Sequence, residues 1–216
     1  CSNCPTAHEV VASLKEQYGD AVVAVAVHAT SVFGIPEGDP RGGLMLPDGN
    51  VYLSQWANPD NVSLPTGVVN RRGGLCDYSK WSTTVRDALA EDTQVQLSIE
   101  ADSVVGKDSI AIRVHLEPGV TVNAKLQLWV TENGIVARQR NGRQTDRKYV
   151  HNHVYRGAVN GVGGEEVSLQ KDMFLDFERG VQIKSEWNVE NLSVVGFVYT
   201  EADGVLQAVE LSLIHI

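Results

Sequence analysis

Cys1 and Cys4, two residues apart and followed at once by Pro5, are the side chains of this chain best equipped for chemistry. An amphipathic stretch follows them, so the pair stands at the head of a helix. There the partial positive charge of unpaired N–H groups stabilises a thiolate, the reactive form of cysteine. A pair at this spacing is close enough to close a small, redox-labile ring. Cys76, in Arg72-Gly-Gly-Leu-Cys76-Asp77, makes the count odd, so one thiol has no partner within the chain. It reads as a free, half-buried thiol in a loop-like stretch. Haem attachment is excluded, because Pro5 stands where C-x-x-C-H requires histidine. Zinc held by Cys1, Cys4 and His8 lacks a fourth ligand at a recognised spacing.

The remaining candidates have plainer readings. His151 and His153 flank Asn152, and period-two spacing would put both imidazoles on one face of a strand. Two imidazoles without a well-spaced acid read as packing or hydrogen-bonding groups. His28 reads as a strand-end histidine, and Arg71-Arg72 as a solvated pair. Trp129 and Trp187 fall in strand-like runs, as sandwich core or a half-exposed face. No G-x-S-x-G, phosphate-binding loop or H-E-x-x-H occurs. No cofactor and no metal is called for.

Two halves with different periods must position these groups. Residues 6–18 place Ala7, Val10, Val11, Leu14 and Tyr18 on one stripe, with Pro5 in the first turn and Gly19 at the C-cap. Ala21–Val27 is apolar throughout and predicts a buried strand of a parallel or mixed sheet. Redox C-x-x-C pairs sit between a strand and a helix, so a strand is expected before Cys1 and the chain reads as a fragment. Residues 30–50 are rich in Gly and Pro and predict a long loop over the active face. A short helix is expected over 51–57. Pro65 opens a short β run and marks an edge or a cis turn. Ser79 is expected to cap a helix carrying Trp81, Val85, Ala88 and Leu89.

After Asp92 the period falls to two. Val95, Leu97 and Ile99 alternate with polar residues, as do Ile110 to Leu116 and Leu126 to Val130. Further strands are expected at 149–156, 166–169, 181–187, 192–200 and 205–213. Such spacing without helices predicts a β-sandwich. The expected division is 1–92 as an α/β domain and 93–216 as the sandwich. The last six residues, Leu211 to Ile216, read either as the end of the final strand or as translated sequencing-adaptor DNA. A net charge of −9 with interspersed signs disfavours a nucleic-acid groove or a polybasic membrane patch. The longest apolar run is far short of the roughly 20 residues of a membrane span.

Four motifs together resemble one family. They are C-x-N-C-P-x-A-H-E at Cys1–Glu9, A-V-x-V-H-A at Ala24–Ala29, L-P-T-G-V-V-N-R at Leu64–Arg71 and H-N-H-V-x-R at His151–Arg156. The pattern resembles the Bacteroidetes outer-membrane protein family named for a member of roughly 28 kDa, and covers the chain to about Val209. That resemblance implies a thioredoxin-like domain, here without its first strand, followed by an immunoglobulin-like β-sandwich. It also implies a place in the cell envelope, periplasm or outer membrane, with membrane contact only through a lipid anchor outside this stretch. In that reading Cys1 attacks, Cys4 resolves the mixed disulfide, and Pro65 is a cis-proline facing the pair. Leu64 and Thr66 flank it where an incoming chain would align. The expected activity is thiol–disulfide exchange on envelope proteins. The alternative is a non-catalytic envelope scaffold with a structural disulfide, which the Ser2-Asn3 spacer favours because it lacks proline. A lipidated Cys1 is a third reading.

Overall fold

Pro5 in its first turn and Gly19 past its end bound the first helix, α1 (Cys4–Tyr18), which buries Pro5, Ala7 and Leu14. Gly19 takes a positive φ of 56°, which a glycine adopts without penalty. The computed structural model describes residues 1–30, 32–104 and 108–214. In chain order there follow α2 (Pro47–Ser54), β1 (Thr66–Val69), β2 (Arg72–Asp77) and α3 (Trp81–Leu89). The β-rich remainder comprises β3 (Val95–Ser103), β4 (Ser109–Pro118), β5 (Val122–Glu132), β6 (Ile135–Asn141), β7 (Gln144–His151) and β8 (Val154–Ala158). It ends with β9 (Glu165–Leu169), β10 (Leu175–Gln182), β11 (Leu192–Thr200) and β12 (Gly204–Ser212). The architecture is α/β in the first part and β-rich thereafter.

The chain divides into two units, Cys1–Glu91 with Asn133–Tyr155, and Asp92–Glu132 with Arg156–Ile216. The expected division into 1–92 and 93–216 thus differs in one segment. The antiparallel hairpin β6–β7 lies between β5 and β8 in sequence but belongs to the first unit.

Other elements of that unit also depart from expectation. The apolar run Ala21–Val27 is not a ladder strand. Only Ala26 pairs, in a parallel bridge to Val154. Its N–H donates to the His153 carbonyl at 2.7 Å, and its carbonyl accepts the Tyr155 N–H at 3.1 Å. Among the described residues segment 153–155 alone pairs with it, and a single bridge is too short to make a ladder. Helix α2 begins earlier than expected, at Pro47, whose fixed φ suits a first turn. Ser79 does not cap α3. Asp77 instead accepts the Ser79 N–H over a single 3₁₀ turn, Tyr78–Lys80, that leads into it. β1 and β2 join through Asn70 and Arg71, both at positive φ (49° and 54°), as a two-residue hairpin turn requires.

In the second unit two sheets, built largely of antiparallel pairs, supply the core. One has the order β10-β4-β3; the other runs β12-β11-β5-β8, with β9 also pairing β5. Alternation on β4 drives Ile110, Ile112, Val114 and Leu116 inward, each at most 1% exposed. They pack with Leu126, Leu128 and Val130 of β5 and with Val194 and Val198 of β11. At Gly196 the sheets approach so closely that a Cβ would lie 2.5 Å from the Ile99 side chain. The strand expected at 181–187 is β10, six residues earlier, and Trp187 lies beyond it as buried core. Leu213 is buried past the end of β12, while His215 and Ile216 lie outside the described residues. No helix among the described residues is long and apolar enough to cross a membrane.

Candidate functional site

Cys4 is the first residue of α1, and its sulfur is bonded to that of Cys1, with 5.7 Å between the two Cα atoms. That separation lies inside the usual disulfide range. Asn3, the N-cap, makes no side-chain cap bond, so the first-turn N–H groups gain no acceptor from it. They are the groups that would stabilise a Cys4 thiolate once the bond opens.

The hairpin β6–β7 holds this pair. Gln139 Nε2 donates to the Cys1 carbonyl at 2.7 Å, and the Gly142 N–H to the Ser2 carbonyl at 3.1 Å. The Tyr149 hydroxyl and His8 Nδ1 on α1 share a hydrogen bond of 2.8 Å. Sequence reading missed these contacts. The signal for them was Asn141-Gly142, a strong hairpin-turn dipeptide.

Beside Cys1 lies an open cavity of about 430 Å³, a size suited to a small molecule or one or two side chains. Its polar lining includes Cys1, His28, Arg138, Gln139, Arg140 and His151, and its apolar lining includes Val32, Phe33 and Leu44. Among the described residues no aspartate or glutamate lines it. Helix α2 does not line the cavity but packs behind its His28 wall. Gly49 lies so near the His28 carbonyl that a Cβ would run into it. Asn50 Oδ1 accepts the Thr30 N–H at 2.7 Å, and Thr30 Oγ1 accepts the Phe33 N–H at 3.2 Å. Thr30 is buried at a φ of 70°. Behind this wall Tyr155 donates to Asp48 Oδ2 at 2.7 Å, and burial raises its phenol pKa.

His151 is 2% exposed, and among the described residues neither of its ring nitrogens has a hydrogen bond of ordinary geometry. Its ring packs edge-on against His28 (5.5 Å) and Tyr149 (4.9 Å), with His8 at 6.1 Å. Burial, reinforced by nearby His8, pushes its imidazole down to about 4, the backbone of Arg138 and Ala137 offsetting part of the fall. His8 is likewise lowered, by burial first and His153 second. His153 does not share a strand face with His151. It stands between β7 and β8 at a φ of 57°, its N–H donating to Asn133 Oδ1. Among the described residues no three His, Cys, Asp or Glu groups converge as metal ligands.

Pro65 follows a cis Leu64–Pro65 bond at the head of β1. Thr66 Oγ1 donates to the Cys76 carbonyl, which also accepts from Trp81 Nε1. Cys76 is a free, half-buried thiol, on β2 rather than in a loop. Leu64, Pro65 and Thr66 are not among the residues lining the cavity beside Cys1.

An α/β unit carrying a disulfide at a helix head, joined to a β-rich unit, is the class these features define. A family model described as outer membrane protein Omp28 matches residues 52–213. The chain belongs to the Omp28 outer membrane protein family, and its place is the cell envelope. Among solved structures, it is similar to a domain of the outer membrane lipoprotein Omp28 from Porphyromonas gingivalis. That likeness has 23% identity over 57% of this chain and 90% of the other, with a TM-score of 0.41. It is also similar to HBP35 of Porphyromonas gingivalis, at 14% identity over 76% of this chain and 56% of that one, with a TM-score of 0.63. A protein from Agrobacterium tumefaciens aligns over 100% of this chain and 90% of its own length, at 13% identity and a TM-score of 0.57. The last two likenesses concern the fold alone. No curated protein matches the chain.

Proposed function

We propose that this chain carries out thiol–disulfide exchange on envelope proteins through Cys1 and Cys4, on a domain of thioredoxin-like character. The observation that carries this reading is a disulfide closed at the head of α1, with Cys1 lining an open cavity. In the oxidising direction a substrate thiolate attacks Cys1 Sγ. The Cys1–Cys4 bond breaks, and Cys4 leaves as a thiolate facing the α1 N–H groups. A second substrate thiolate then attacks the substrate sulfur of the mixed disulfide, releasing Cys1 as thiolate and an oxidised substrate. The reducing direction runs the same steps backwards, with Cys1 attacking and Cys4 resolving. Pro65, with Leu64 and Thr66, offers backbone along which an incoming chain aligns.

A second reading is a non-catalytic envelope scaffold whose disulfide is a staple. It is favoured by the Gln139 and Gly142 bonds that pin the carbonyls of Cys1 and Ser2. Dithiol-driven reduction of insulin separates the two. Exchange predicts turnover by the intact chain and none by Cys1→Ser. Equal rates for both proteins would leave the staple as the function of the pair.

A further inference from the structure

Net charge on this chain is −9, yet among the described residues no carboxylate lines the cavity beside the disulfide. Two arginines, Arg138 and Arg140, line it with two histidines, His28 and His151. The nearest acids, Glu9 and Asp146, act on Tyr149 behind the wall, whereas the two guanidinium groups face the cavity itself and favour an anion there. The second observation is independent of charge. His151 is 2% exposed and lines the cavity, with both ring nitrogens lacking a well-formed hydrogen bond. Buried polar groups are normally satisfied. Its nitrogens have no exposed surface and lie beside the backbone of Arg138 and Ala137, so the ring is an under-satisfied group at the cavity wall rather than a direct contact for what enters.

We infer that the cavity is the subsite for a thiol substrate carrying a carboxylate a few bonds from its sulfur, the carboxylate facing Arg138 and Arg140 and the sulfur facing Cys1. This rests on the exchange activity proposed above and adds the substrate's chemistry to it. The bonds made and broken are those already written, with the thiol of this substrate as the attacking group. Val32 and Phe33, both exposed at the wall, cover the aliphatic part of such a molecule. A free small thiol and a protein cysteine with an acidic neighbour share this chemistry.

The test is the rate at which the Cys1–Cys4 disulfide of the full chain is reduced by matched thiols, compared per thiolate present. N-acetylcysteine is set against its amide, and a blocked Asp-Cys dipeptide against Asn-Cys, with dithiothreitol as the uncharged reference. The inference expects the carboxylate of at least one pair to accelerate reduction about fivefold, as two partly solvated guanidinium groups allow. The pair showing it identifies the source as small thiol or protein. Arg138→Gln with Arg140→Gln should abolish the preference, whereas Arg86→Gln with Arg113→Gln should leave it. Binding is read separately by the His151 imidazole NMR signals during titration with N-acetylserine, expected to shift far more than with its amide. Equal rates within both pairs, or unmoved His151 signals, would overturn the subsite and leave exchange intact. Failure of dithiothreitol to reduce the bond would instead overturn the exchange reading, and this inference with it.

Discussion

Acid should weaken the first unit through His151, by an amount its surroundings define. The imidazole is buried and titrates at about 4, against 6.5 when free. Between those values the unfolded chain binds a proton that the folded chain refuses, so stability falls as pH falls. The stabilisation is fully present above about pH 6.5 and is lost progressively towards 4. Linkage over this interval gives about 2.5 kcal/mol between pH 7.5 and 4.5. His8, also lowered, adds to the same trend. The perturbation is His151→Phe, which keeps an aromatic ring against Tyr149 and removes the titration. The assay is a urea series read by pulsed hydrogen exchange on peptides covering α1 and the β6–β7 hairpin, at both pH values. Carboxylate contributions common to the two proteins cancel in the difference. The intact chain should lose about 2.5 kcal/mol more than the variant between pH 7.5 and 4.5. Equal losses would refute the argument that burial holds this imidazole neutral.

Three further substitutions probe groups on which the fold depends. Arg156 and Glu132 meet at 3.0 Å, each side chain 6% exposed, with Arg156 also over the Trp187 ring. Arg156→Met strands a buried carboxylate and should cost about 3–5 kcal/mol of stability in the second unit, measured by denaturation. Tyr155→Phe removes the donor to Asp48 and should cost about 1–3 kcal/mol in the first unit. Asp48→Asn on the Tyr155→Phe background should then cost little more.

Much of this was legible in the residues because it is local. Pro5 and Gly19 bracket α1, and strict alternation gave β4, because only one face of that strand can be buried. Membership of the envelope family was legible from motifs spread along the chain, and the family match over residues 52–213 agrees with it. Beyond the turn dipeptide Asn141-Gly142, the hairpin was not legible. Its strands carry Arg138, Arg140, Arg147 and Lys148 and show no buried stripe, with Val136 and Val150 both largely exposed. Its role is to grip the backbone of Cys1 and Ser2, more than 130 residues away in sequence, and no periodicity records such a contact. His153 broke the strand expected at 149–156 by adopting positive φ, which histidine does more readily than β-branched residues. Ala21–Val27 failed as a strand because hydrophobicity predicts burial, whereas a ladder needs a neighbour paired along its length, and here only Ala26 is bridged. The cavity could not have been foreseen, since its lining comes from segments around residues 1, 28–44 and 138–151.

The reduction potential of the Cys1–Cys4 pair, measured on the full chain equilibrated in glutathione redox buffers, tests the central claim most directly. An exchange-active dithiol at a helix head should lie at roughly −120 to −270 mV. A potential well below about −300 mV would contradict the claim, because a disulfide so resistant to the thiol pool acts as a structural bond.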